Sequence, residues 1–243
     1  MTKIYREPFR FFLSSLPTLL MFAAMIEGSL WVLQPRSEGS ITWAALTTIA
    51  YFMHRHFLFG AALHLRPNKP VFGAPPQKFG WFMVVSAALL VLPVLVMVVV
   101  AVRYLGSQQT AAIILITLLT YLLMLSLFGT ALPATVARDG TYRLRQGVRA
   151  SFQTMWRLVL GPGTFGVLLL VVLSFSDRAM AALGLAETSL IMLGYLILLR
   201  TVGFLTTILA VAVLCEMYRQ TRPKPGPNMG PDMGPDGADQ TPA

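Results

Sequence analysis

A single cysteine, Cys215, in 243 residues excludes an intrachain disulfide and any cysteine-based metal cluster. Histidine is nearly as scarce, and His54, His56 and His64 all lie in one short stretch. Haem held by axial histidines on two separate helices is therefore excluded, and no serine or cysteine triad can be assembled. His56 and His64 are two helical turns apart rather than one, a loose spacing for a shared metal ion. Charge is also sparse, at 12% of the chain where soluble domains carry about 25%. Neither a cofactor nor a catalytic set is expected from this inventory, and the chain reads as non-enzymatic.

What is abundant is apolar. Hydrophobic residues make up 56% of the sequence and the mean hydropathy is +0.67. Crossing about 30 Å of hydrocarbon takes about 20 residues per helix. Six runs meet that length or come close: Phe11 to Leu33, Ile41 to Ala62, Trp81 to Tyr104, Thr110 to Pro133, Leu158 to Phe175 and Ser189 to Cys215. Pro17 and Glu27 interrupt the first run, and Gly161-Pro162-Gly163 predicts that the fifth either is kinked in its first turn or begins after Pro162. The first run is followed by five more, so it reads as a retained helix rather than a cleaved signal. The expected fold is all-α, a polytopic bundle of six spans over residues 1–222.

Basic residues orient the bundle. Lys3, Arg6 and Arg10 precede the first run; Arg55, Arg66, Lys69 and Lys78 follow or close the second. Arg138, Arg143, Arg145, Arg149 and Arg157 follow the fourth, and Arg219, Arg222 and Lys224 follow the sixth. The alternate loops hold only Arg36, Arg103 and Arg178. Cytoplasmic loops carry the excess of Lys and Arg, so both termini are expected in the cytoplasm. The net charge of +9 is then spent at anionic headgroups, and nucleic acid is not an expected partner. Arg55, Arg66, Arg143, Arg145 and Arg149 are the expected headgroup contacts, and the three histidines are read as interfacial and solvated.

Between Thr141 and Trp156, Leu144, Val148, Phe152 and Met155 share one helical face while Arg145, Arg149 and Gln153 lie off it. That pattern predicts an amphipathic link on the cytoplasmic surface. Residues 223–243, rich in Pro and Gly and repeating Met-Gly-Pro-Asp, are expected to be a disordered tail. Gly28, Gly129, Gly166, Gly194 and Gly203 are candidates for close helix packing.

Glu27 and Arg200 are the two charges set most clearly inside apolar runs. Intramembrane charges are expensive and mark either pairing or a functional site. The run boundaries place Arg200 about 10 Å deeper than Glu27, within reach of a snorkelling guanidinium. A clasp between first and last helices is one reading; a substrate or proton site is the other. A lone ion pair lacks the acids and histidines of a proton relay, which favours the clasp.

Several short motifs carry a resemblance. They are His54-Arg55-His56-Phe57-Leu58-Phe59-Gly60, then Ala131-Leu132-Pro133-Ala134, Arg149-Ala150-Ser151-Phe152, Trp156-Arg157-Leu158 and Glu216-Met217-Tyr218-Arg219. In order and spacing they resemble YciC-like proteins and the membrane domain that accompanies some glycerophosphodiester phosphodiesterases. The resemblance implies a six-helix integral membrane domain and supplies no catalytic residue. The phosphodiesterase barrel would itself need about 250 residues. The expected role is in envelope homeostasis or as a partner or scaffold of another membrane complex, with membrane lipids and another membrane protein as the expected partners. The alternative is a small transporter or lipid-handling protein with a polar site around Glu27 and Arg200.

Overall fold

The computed structural model describes residues 2–33, 38–60, 79–104, 110–140, 142–169, 171–172, 175 and 190–222. Arg36, His64, Arg66, Lys69, Lys78, Arg178, Lys224 and the tail 223–243 lie outside the described residues. Among the described residues every regular element is helical, with no strand.

The first apolar run is two helices rather than one. α1 (Thr2–Ser14) and α2 (Leu16–Leu33) meet at Ser15 with a bend of 71°. Pro17 explains the break, since it has no N–H to give the Leu13 carbonyl and sits without penalty in the first turn of a new helix. α1 is amphipathic: Pro8 and Phe11 are buried, whereas Arg6, Glu7 and Arg10 are exposed. It lies against the final helix.

α3 (Glu38–Phe59) and α4 (Phe79–Tyr104) follow. α4 packs chiefly on α5 (Thr110–Phe128) and leaves Val84, Val91, Leu92, Val94, Leu95, Val98 and Val99 exposed. A contiguous apolar surface of that kind suits lipid rather than water. The chain bends again, by 47°, at Gly129-Thr130 before α6 (Ala131–Ala137). Here Pro133 cannot bond the Gly129 carbonyl, and the Leu132 N–H takes it instead at 3.1 Å. The fourth run thus continues as helix past Pro133, in a new direction.

α6 stops at Arg138, which is left-handed at φ 52° and gives its N–H to the Ala134 and Thr135 carbonyls. A non-glycine residue there costs about 1–2 kcal/mol. Arg138→Gly should therefore raise unfolding stability by about 1 kcal/mol; a lower melting temperature would show that the Arg138 side chain contributes more than its backbone costs.

α7 (Leu144–Arg149) and α8 (Ser151–Leu158) are separated at Ala150, and a π turn occupies Val159–Gly163 around Pro162. Helix resumes as α9 over 164–169. The missing Pro162 N–H is absorbed by the wider turn, and the Thr164 hydroxyl caps the Val159 carbonyl at 3.0 Å. α10 (Leu190–Thr221) has 32 residues, about 48 Å of helix. Its second half is the axis of the molecule. Phe204, Ile208, Val211 and Cys215 join Leu19, Ile26, Ile49 and Met53 in one core. Val213, Leu214 and Met217 join Phe82, Leu89, Leu125, Leu132 and Leu158 in the other.

Among the described residues, two helical segments, Phe79–Val100 and Leu190–Thr221, are long and apolar enough to cross a membrane. The count rises to four if each bent pair is one span. α3 is long enough at 22 residues, about 33 Å, but Thr47, Thr48, His54, Arg55 and His56 lower its apolarity. Thr47, His54 and Arg55 are buried, turned into the bundle rather than toward its surroundings.

Candidate functional site

Glu27 on α2 and Arg200 on α10 face each other because these two helices pack together. Arg200 Nε donates to Glu27 Oε1 at 2.6 Å. The carboxylate side chain is 7% exposed and the guanidinium 23%, so the pair is largely withdrawn from the surroundings. Arginine's long stem bridges the depth offset implied by the run boundaries.

Arg200 also stands between two cavities. The larger, about 690 Å³, lies among α3, α4, α5, α6 and α10. Thr42, Trp43, Thr47, His54, Ser86, Tyr121, Arg200 and Thr207 give it polar groups; Leu46, Ala50, Leu90, Leu125 and Leu214 give it apolar walls. The smaller, about 340 Å³, is lined by Glu27, Leu169, Leu196, Phe204 and again Leu46, Arg200 and Thr207. Their shared wall is Leu46, Arg200 and Thr207, and Glu27 borders only the smaller.

Among the described residues, three that line the larger cavity each carry a buried polar atom with no hydrogen-bond partner: Thr42 Oγ1, Trp43 Nε1 and His54 Nε2. A buried polar atom left unpaired costs about 1–3 kcal/mol, so several such residues gathered around one cavity mark it as a candidate ligand site. His54 is 1% exposed, and its Nδ1 lies 2.7 Å from the Ala50 carbonyl. A carbonyl only accepts, so Nδ1 carries the proton and Nε2 of the neutral ring is an acceptor.

This revises the sequence expectation for His54 and Arg55. Neither is solvated: Arg55 is 5% exposed, with its guanidinium 6.0 Å over the Phe59 ring. α3 packs against α2, α4, α6 and α10, which turns Thr47, His54 and Arg55 into protein. His56 is half-buried and stacks on Phe11 at 4.1 Å. Arg143, Arg145 and Arg149 are exposed. They sit beside Leu144, Val148, Phe152 and Trp156, which are also exposed, while Met155 is half-buried. The amphipathic link is therefore two short helices broken at Ala150, presenting both its arginines and its apolar stripe outward.

A second polar cluster has no sequence signal. The Tyr218 hydroxyl donates to Asp139 Oδ2 at 2.7 Å, and Arg222 Nε lies 3.6 Å from the same oxygen. The Tyr142 and Thr130 hydroxyls are 2.6 Å apart, and the Tyr142 and Tyr218 rings adjoin at 6.1 Å. Burial pushes the Tyr142 phenol above its ordinary pKa, against a smaller opposing effect of the Thr130 bond. These contacts tie the α6–α7 corner to the end of α10. Of the five glycines singled out for packing, only Gly129 makes a close approach, with Leu214 Cδ2 2.8 Å from where its Cβ would be; Gly28 and Gly194 face open space. Gly161 is a further one: a Cβ there would meet Tyr5 Cε1 at 2.5 Å.

Among the described residues no group of three or more His, Cys, Asp or Glu side chains could hold a metal ion. No family model, curated protein or solved structure matches the chain.

Proposed function

We propose that the chain is a six-span protein of the bacterial inner membrane, with both termini cytoplasmic, that holds a small amphiphilic ligand among its helices without catalysing a reaction on it. The observation that carries this reading is the 690 Å³ cavity, three of whose lining residues carry a buried polar atom unpartnered among the described residues. A volume of that size falls within the range of small-molecule sites, about 300–1,000 Å³. A pure scaffold needs no such cavity, so the lipid-handling or transport alternative gains over the scaffold reading. The exposed apolar face of Leu144, Val148, Phe152 and Trp156 keeps a second role, contact with lipid or a membrane partner, within the proposal. The likeness to YciC-like proteins enters only as the expected architecture.

Filling the cavity tests the ligand. Ala210 lines it, and Ala210→Phe should occupy it while leaving the bundle folded. Native mass spectrometry from mild detergent should find an amphiphile retained on the wild type and lost from the variant. Equal retention on both would place any bound lipid elsewhere and defeat the proposal. For the topology, a reporter active only in the cytoplasm should be active after Ala243 or within 137–142, and silent within 37–40 or 182–188. Strong activity at either outer position would contradict six spans.

A further inference from the structure

The ends of the large cavity differ in hydrogen-bonding sense, and this specifies its occupant. Thr42 and Trp43 lie eleven to twelve residues before His54 on α3, a separation of about 17 Å along the helix axis. At the first end the indole Nε1–H can only donate, and so can the guanidinium of Arg200, which shares a wall with Leu46, three residues after Trp43 on α3. Of the five N–H donors of Arg200, one, Nε, is directed to Glu27. At the second end, neutral His54 offers Nε2 as an acceptor. Leu46, Ala50, Leu90, Leu125 and Leu214 make the walls apolar.

From this arrangement, and resting on the ligand-holding reading above, we infer that the cavity binds an anionic amphiphile with its head at Trp43 and Arg200 and its chain running toward His54. A carboxylate or phosphate head presents only acceptors to an end that presents donors. Charge-assisted bonds of that kind are about twice as strong as neutral ones. An extended saturated chain advances about 1.3 Å per C–C bond, so roughly 14 carbons span the distance to His54 and a 12-carbon chain ends about 3 Å short of it. Glu27 does not border this cavity, so the head meets the guanidinium from the side opposite the carboxylate, and Arg200 bridges the two anions.

Trp43 is its own reporter once Trp31, Trp81 and Trp156 are replaced by Phe. All three are exposed on the outer surface. In that background, in non-ionic detergent, 2-bromododecanoate should quench Trp43 fluorescence strongly, and 12-bromododecanoate weakly. Unlabelled dodecanoate should compete about tenfold better than dodecanol, the gain of one hydrogen bond to a charged group. A Glu27→Gln/Arg200→Gln variant removes the charge without stranding a partner, and the tenfold preference should shrink to less than twofold. Equal competition by acid and alcohol on the unmodified pair would overturn the anionic class while leaving an amphiphile cavity in place. Stronger quenching by the 12-bromo isomer would reverse the orientation and overturn the assignment of the head. If no bromo-acid quenches Trp43 beyond its effect on free indole in the same detergent, the inference and the ligand-holding reading both fail.

Discussion

Glu27→Gln alone and Arg200→Leu alone should each lower stability in detergent by about 3 kcal/mol, and the double variant should recover most of that loss. Either single change leaves one charge in a largely apolar setting with its 2.6 Å partner gone. Removing both leaves two neutral side chains of similar volume between α2 and α10. The residual 23% exposure of Arg200 moderates its share, so Glu27, stranded at 7% exposure, should be the more costly residue to leave unpaired. Arg200→Leu should therefore be the worse single variant. Thermal unfolding of the four proteins completes the cycle. Strictly additive losses would separate the two residues and remove the clasp between the first and last apolar runs.

Gly129→Leu should cost about 3 kcal/mol, at the upper end of overpacking. Its Cβ would begin 2.3 Å from the Leu125 carbonyl oxygen, a backbone atom that cannot turn aside, and 2.8 Å from Leu214 Cδ2, and Leu214 belongs to the core that binds α10 to α4, α5 and α6. The turn at Gly129-Thr130 also fixes where α6 leaves α5, so the strain falls on backbone as well as side chains. Gly28→Ala is the matched control. Nothing lies within 4 Å of its Cβ position, so stability should hold or rise slightly through helix propensity. Equal losses at Gly28 and Gly129 would mean that the close approach to Leu214 is not what constrains the corner.

Helical class was legible because long apolar runs such as Trp81 to Tyr104 admit little else. Proline chemistry marked Gly161-Pro162-Gly163 as a break from regular α-helix, and the chain forms a π turn there. At Ser15 the same reasoning marked an interruption but not its 71° size. One missing N–H permits a bend, and the packing of α1 on α10 decides how far it goes. Glu27 and Arg200 stood out because charge inside an apolar run is conspicuous.

The cavity did not stand out, for a physical reason. α5 and α10 are apolar on every side, so periodicity gives no inward face to read. α3 misled in the opposite way. Its His54 and Arg55 followed the rule that basic residues close a span at the headgroups, yet both point into the protein. Polar residues in a helix of low apolarity can face the interior as readily as water, and only their neighbours settle which. The bond from Tyr218 to Asp139 joins residues 79 positions apart, and neither residue is unusual in its own segment.

The central claim is that the space between Trp43 and His54 holds an anionic amphiphile. Electron density from protein crystallised in a lipidic mesophase tests it most directly. The account predicts one elongated feature about 17 Å long beside Leu46, Ala50 and Leu214, with its bulkier end within hydrogen-bond reach of Trp43 Nε1 and the Arg200 guanidinium. A cavity closed by its own side chains, with Trp43 Nε1 and His54 Nε2 bonded to protein atoms, would contradict it.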